Sequence, residues 1–188
     1  MEIEFFDNVS SYIEYAKSLS TFPILKMGEP LSKKEVYRRR KLFRYILKRH
    51  EIRRLVSDFA SANGIEEPTI VFTRDKDIEV ACFKTTSKTI YIQAHMLRID
   101  FWYNLTMLVH ELSHYLIYLN KDMHEGIMQL SKEVKATLKE HNKQNNIVLP
   151  EELYANALMC HLLSNLKEET KIYIDSLFEG FKKEIATI

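Results

Sequence analysis

The stretch LVHELSHYL, residues 108–116, holds the residue types and the spacing of a zinc site. His110 and His114 are four residues apart, so in a helix both imidazoles project from one face and can share a tetrahedral Zn²⁺ at about 2.0–2.1 Å. Glu111 is turned about 100° away from His110, so it does not bind the metal. It can instead reach the water that the metal activates, as a general base must. The spacing therefore predicts a zinc hydrolase with Glu111 as its catalytic residue.

The residues around this motif are apolar on nearly every side of the predicted helix, which indicates that the helix is buried. They are Leu105, Met107, Leu108, Val109, Leu112, Leu116 and Leu119. Two histidines and a carboxylate in a buried helix need polar partners, and a metal ion supplies them. The alternative, two surface histidines beside a solvated glutamate, is disfavoured by these flanks.

A catalytic zinc needs a third protein ligand and an open position, and two candidates follow the motif. Glu152 opens an E-x-x-A-N pattern on the helix after Pro150, and Asn156, one turn further on, could hold a ligand histidine. His124 lies ten residues after His114, just past the expected end of the HELSH helix. Each candidate also has a plain explanation: the helix dipole favours an acid in a first turn, and His124 could be a surface residue at a helix start. The residues alone leave both candidates open.

Together, LVHELSHYL and ELYANALMCHLL resemble the ImmA/IrrE family of bacterial and phage zinc metallopeptidases, which combine an HExxH helix with a later E-x-x-A-N-x-F-A-x-x-L-L helix. Leu158 and Met159 replace the usual Phe and Ala. The resemblance covers about residues 52–165 and implies a gluzincin-type site in which Glu152 is the third zinc ligand. It also implies a metalloendopeptidase acting on one or a few protein substrates, such as a transcriptional regulator. The extended substrate backbone would pair with a strand of the sheet, taken as residues 88–93.

One departure from that family is the distance between HELSH and ELYAN: 37 residues (115–151) separate them, and an extra helix over 124–142 has to fit there. A second resemblance is to the SprT-like zinc proteases, which act on DNA-associated proteins. It rests on KTIYIQ followed by LVHELSHYLIYLNKDMHEGIM, and it implies His124 as the third ligand. Glu125 stands where that group has Gly, and the cysteine zinc ribbon common there is absent from this sequence. A non-proteolytic zinc-binding regulatory module, closed by His124 and Glu152 together, is the remaining alternative.

The elements that must position these residues are mostly helical. Periodicity and capping signals predict helices over 4–20, 32–63, 100–120, 124–142, 150–166 and 168–186, with a break near His50 in the second and Gly64 as its stop. Three β-type runs separated by turn residues predict a small antiparallel sheet of strands 69–73, 78–83 and 88–93. The expected fold class is α+β: a zincin-like helical core with a small antiparallel sheet and an N-terminal helical appendage. The predicted boundaries are 1–51 for the basic appendage and 52–188 for the metallopeptidase domain.

Charge is unevenly distributed along the chain. The whole protein carries a formal net charge of +1, whereas Lys33–Arg54 has eleven Lys and Arg against Glu35 and Glu51, which gives that segment +9. Such a segment could dock on nucleic-acid phosphates. One alternative is a solvated helix face whose charge balances the acidic remainder, and another is a segment that covers the active-site cleft or docks a protein partner.

Cysteine usage and the amino-terminal residues indicate the compartment. Cys82 and Cys160 have no CxxC partner, so we expect a reduced intracellular chain without a disulfide scaffold. The acidic start MEIEFFDN lacks the features of a signal peptide, and no apolar run approaches the ~18 residues of a membrane span. We therefore expect a cytoplasmic protein that acts on a protein or peptide substrate and does not enter a membrane.

Overall fold

The computed structural model describes residues 8–19, 48–98, 101–140 and 147–163, which form a mixed α+β fold, as the sequence predicts. The helices are α1 (Val9–Leu19), α2 (Arg49–Asn63), α3 (Phe101–Leu119), α4 (Lys121–Glu140) and α5, whose described part covers 150–163. The strands are β1 (Thr69–Thr73), β2 (Ala81–Lys84) and β3 (Thr89–Gln93). The helix predicted over 168–186 lies outside the described residues, as does the part of the basic segment that covers 33–47.

The three strands form a mixed sheet in the order β1-β3-β2. β1 runs parallel to β3, with Thr69 opposite Thr89, and β2 runs antiparallel to β3, with Ala81 opposite Ile92. The prediction of an antiparallel sheet is therefore wrong for β1. A short turn through Thr85–Ser87 makes β2 and β3 a hairpin, whereas β1 reaches β3 only after the chain has passed through β2. That connection is long enough for the crossover that a parallel pair needs.

β3 is the central strand, so the expectation that residues 88–93 pair with a substrate backbone is wrong. Both edges of β3 are occupied, by β1 on one side and β2 on the other. Ile90 and Ile92 of β3 are fully buried. A central strand covered on its faces is expected to be apolar, and TIYIQ fits that expectation. In the part of the chain that the structure describes, β2 is an edge strand.

The main hydrophobic core lies between the sheet, α2 and α3. Ile52 and Val56 project from one face of α2 and are fully buried, as is Ile90 of β3, and Leu108 of α3 is 1% exposed. α2 ends where Gly64 adopts a left-handed conformation with φ 61°, which confirms Gly64 as the helix stop. This core fixes α3, and therefore the HELSH motif, against the sheet.

α1 packs against α4 and the start of α5. Tyr12 and Ala16, one turn apart on α1, are buried with Val134 and Leu153. The hydroxyl of Tyr12 donates a hydrogen bond to the carbonyl of Val148, in the segment that leads into α5. α1 therefore helps to hold that segment, and the boundary between an N-terminal appendage and the metallopeptidase domain stays a prediction. None of the described helices has the length and apolarity needed to cross a membrane.

Candidate metal centre

α3 is buried along most of its length, and the two histidines occupy a more open face. Leu112 is 2% exposed and Tyr115 is fully buried, whereas the side chains of His110 and His114 are 20% and 18% exposed. The two imidazoles lie one helical turn apart, and their Nε2 atoms are 3.1 Å from each other. The helix is therefore buried as predicted, with both imidazoles directed at one point.

The first turn of α5 brings Glu152 to that same point. Its Oε2 lies 3.2 Å from Nε2 of His110, and its Oε1 lies 3.6 Å from Nε2 of His114. Ligand atoms around a tetrahedral Zn²⁺ at ~2.0–2.1 Å stand about 3.3 Å from one another. Within the described residues, these three side chains form the cluster that could hold a metal ion, with their donor atoms within 4.8 Å of one another. The spacings therefore fit a tetrahedral ion.

The carboxylate of Glu152 controls the electrostatics of this cluster. Hydrogen bonds with His110 and His114 hold the pKa of Glu152 well below its usual range. Burial by itself lowers the pKa of His110, but the hydrogen bond with Glu152 and nearby negative charge outweigh burial, so the pKa is raised overall. A hydrogen bond between the side chains of Asn156 and His110 acts in the same direction. Asn156 therefore contacts a candidate ligand from the turn of α5 that follows Glu152.

Two side chains of α4 hold the start of α5. The hydroxyl of Ser131 donates to Oε2 of Glu151, and Nζ of Lys135 lies 2.8 Å from Oε1 of the same carboxylate. Burial alone raises the pKa of Glu151, but these two hydrogen bonds outweigh it and lower the pKa. We call Ser131, Lys135 and Glu151 the α4–α5 clamp. Because Glu151 precedes Glu152, the clamp fixes the turn from which Glu152 projects.

The extra helix predicted between HELSH and ELYAN is present as α4, which covers Lys121–Glu140 rather than 124–142. Ile127 of α4 is buried with Ile117 of α3 and Ala155 of α5. The long separation of the two motifs in sequence thus contains the helix that packs them together.

Glu111 is buried beside the two histidines, with 6% of its surface exposed. Its carboxylate accepts a hydrogen bond from the backbone N–H of Phe83 in β2. Burial raises the pKa of Glu111, and the neighbouring His110 and His114 together with the Phe83 N–H oppose this rise without cancelling it. A carboxyl group with a raised pKa takes up a proton more readily than an exposed glutamate does, which suits acid–base chemistry.

His124 does not join the cluster formed by the described residues. It lies in the first turn of α4, and its ring packs edge-on against Tyr118 with centroids 5.5 Å apart. Of the two candidates for a third ligand, Glu152 is the one that the structure places with His110 and His114.

Sequence reasoning missed the contacts that support this centre. Phe83 acts through its backbone N–H, which every residue except proline carries, so no sequence signal marks it. Ser131 and Lys135 are four residues apart and so share a helix face, but that spacing alone does not identify Glu151 as their common partner.

Comparisons of this chain with models of protein families, with curated proteins and with solved structures found no match. The resemblance to the ImmA/IrrE family therefore depends on the motif residues themselves, HELSH and ELYAN, and its functional implications are proposals.

Proposed function

We propose that this protein is a zinc metalloendopeptidase with a gluzincin-type centre, in which His110, His114 and Glu152 bind the metal and Glu111 is the general base. The observation that carries the proposal is the convergence of three side chains. The two imidazole Nε2 atoms are 3.1 Å apart, and the carboxylate oxygens of Glu152 lie 3.2 Å from His110 and 3.6 Å from His114. Two imidazoles and one carboxylate, with a fourth position left open, are the donor set of a catalytic zinc rather than a structural one.

The chemistry divides between the metal and the chain. When bound, Zn²⁺ lowers the pKa of a water toward about 7 and polarises the carbonyl under attack. Glu111 accepts a proton from the attacking water and passes it to the leaving amine. The N–H of Phe83 holds the carboxylate of Glu111 in place, and burial favours the protonated form that the second step needs. The hydrogen bond that the imidazole of His110 donates to the side chain of Asn156 orients that ring.

The edge of β2 is the surface that best suits an extended peptide substrate. The N–H of Gln93 bonds to the carbonyl of Val80, so by alternation the backbone groups of Ala81 and Phe83 point away from β3. The Phe83 N–H on this outer edge is the one that bonds to Glu111. A peptide that adds to β2 as a further strand, through the outward groups of Ala81 and the carbonyl of Phe83, would therefore pass beside the proposed general base.

The ImmA/IrrE resemblance supports a substrate class of one or a few proteins, such as a transcriptional regulator. The SprT-like alternative needs His124 as the third ligand, and a closed structural zinc site needs His124 in addition to Glu152. The ring of His124 packs against Tyr118 outside the cluster, which favours neither of these two alternatives.

Incubation of the zinc-loaded protein with a defined library of peptides, followed by mass spectrometry of new termini, tests the proposal. We expect cleavage by the wild type and none by Glu111→Gln, which keeps the size of the side chain and removes the base. Glu125→Gln, an exposed glutamate of α4, is the matched control and should cleave like the wild type. Equal cleavage by wild type and Glu111→Gln, at equal zinc content, would refute the proposed mechanism.

A further inference from the structure

A cleft of about 910 Å³ lies between the start of α2, the loop after β1 and the turn after β3. Its lining is strongly basic. The cations are Lys48, Arg49, Arg74, Lys76 and Arg98. His95 also lines the cleft, and Glu79 is the carboxylate among the lining residues. The metal-centre residues do not line it, so this is a separate surface.

The five cations are available to a ligand. In the described ranges, no ion pair joins any of them to a carboxylate. Two acids near the cleft accept hydrogen bonds from backbone groups: Glu51 accepts from the N–H of Lys48, and Asp75 accepts from the N–H of Asp77. Five cations against Glu79 therefore leave the lining with a net positive charge, which attracts anions.

The fold holds this basic lining in place. Gln93 is 5% exposed, and its Nε2 donates to the carbonyls of Asp75 and Ile78, which fastens the loop carrying Arg74 and Lys76 to β3. On the α2 side, the guanidinium of Arg49 lies 5.2 Å from the centre of the Phe72 ring. The guanidinium of Arg49 and the backbone of the loop that carries Arg74 and Lys76 are thus fixed before any ligand binds, which reduces the entropy lost on binding.

The chemistry of the lining selects phosphates. Apolar atoms supply more of the accessible lining than polar atoms do, although the apolar side chains Ile78 and Leu97 are only 5% and 7% exposed, and the charged side chains of the lining are predominantly cationic. Among the lining residues His95 carries the one ring on which a base could stack, and none is Phe, Tyr or Trp. An arginine guanidinium can donate two hydrogen bonds to the oxygens of one phosphate. A cleft of this volume is far larger than one phosphate group. A ligand with repeated phosphates fits both the cationic side chains of the lining and the size of the cleft.

We propose that this cleft binds the phosphate backbone of nucleic acid, without selecting its base sequence. Lys48 and Arg49 belong to the Lys33–Arg54 segment, for which the sequence left nucleic-acid contact open beside a solvated helix face. Arg74, Lys76 and Arg98 come from distant parts of the chain, and the fold brings them to the same cleft. This binding is independent of the metal centre.

Fluorescence anisotropy with a labelled DNA duplex of arbitrary sequence, over a salt series, tests the proposal. If four to five phosphates are contacted, log K should fall against log salt with a slope of about −4. Arg74→Glu/Lys76→Glu should weaken binding at low salt by about 10- to 100-fold and reduce the slope by about 2. The matched control, Lys132→Glu/Lys139→Glu, makes the same change in net charge at exposed positions of α4 and should bind like the wild type.

Three results would overturn the proposal. The first is the absence of binding at low salt, and the second is an equal loss of binding in the α4 control. The third is competition by a polyglutamate peptide that is as effective as competition by unlabelled DNA, which would identify an acidic protein partner instead. The zinc content of Arg74→Glu/Lys76→Glu should equal that of the wild type. Failure of DNA binding is thereby distinguished from failure of the metal centre.

Discussion

Replacement of Glu151 by Ala removes the acceptor of both bonds of the α4–α5 clamp and leaves the three proposed zinc ligands unchanged. Lys135 is 52% exposed, so its ion pair with Glu151 is screened by solvent and contributes about 0.5 kcal/mol. Ser131 is 1% exposed, and its hydrogen bond to a charged carboxylate contributes about 1.5 kcal/mol. We expect the free energy of unfolding of the metal-free protein to fall by about 2 kcal/mol.

The same change should weaken zinc binding, because the first turn of α5 carries Glu152. Loss of a residue that orients a ligand typically lowers metal affinity by about 10- to 100-fold. The clamp acts on the neighbour of the ligand, so we expect the lower end, about 10-fold, which corresponds to about 1.4 kcal/mol. Competition with a chromogenic chelator measures this affinity, and urea unfolding in EDTA measures the stability separately.

Glu133→Ala is the matched control for Glu151→Ala. It removes a carboxylate from α4 that accepts a hydrogen bond from Gln129 and is exposed. We expect zinc affinity to be unchanged in this variant. If Glu151→Ala is destabilised yet binds zinc with the wild-type affinity, or if Glu133→Ala loses as much affinity, the clamp does not position Glu152.

Three further predictions concern stability. Burial raises the pKa of Tyr12 above the ~10 of an exposed tyrosine. The stability that the neutral Tyr12 side chain contributes is therefore complete below about pH 10 and declines as the pH rises further. Tyr12→Phe should reduce that decline by up to ~1.4 kcal/mol per pH unit in urea unfolding, and equal slopes would contradict this. Gly64→Ala should lower the free energy of unfolding by about 1 kcal/mol, because the left-handed backbone at φ 61° is strained for alanine, and no clash adds to this since a Cβ there meets no atom within 4 Å. Ser61→Ala, at an exposed helical position, should not destabilise the protein. Chelation should lower the melting temperature of zinc-loaded wild type but not of His110→Ala/His114→Ala, and an equal decrease would contradict the assigned ligands.

The residues of the candidate centre were more predictable from the sequence than the topology around them. The spacing of His110 and His114 follows from helical periodicity, and the apolar flanks predicted the burial of α3 correctly. Glu152 was identified as a candidate from a local pattern at a helix start. Its choice over His124 required the packing of α5 on α3, which depends on contacts between distant residues.

The sheet shows where local patterns fail. The runs 69–73 and 88–93 became β1 and β3, but alternation within a run does not state which strands are neighbours. The parallel pairing of these two strands depends on the intervening chain, including the loop that Gln93 holds. The edge position of β2, and with it the contact between Phe83 and Glu111, follows from that topology and has no local signal.

The zinc affinity of three proteins, wild type, Glu152→Ala and His124→Ala, tests the proposed centre most directly. We predict one zinc ion per chain in wild type and in His124→Ala, with the same affinity. Glu152→Ala should bind zinc more than about 100-fold more weakly, because loss of a ligand exceeds the effect of losing a residue that orients one. Wild-type zinc affinity in Glu152→Ala, with loss of zinc in His124→Ala, would contradict the gluzincin-type centre.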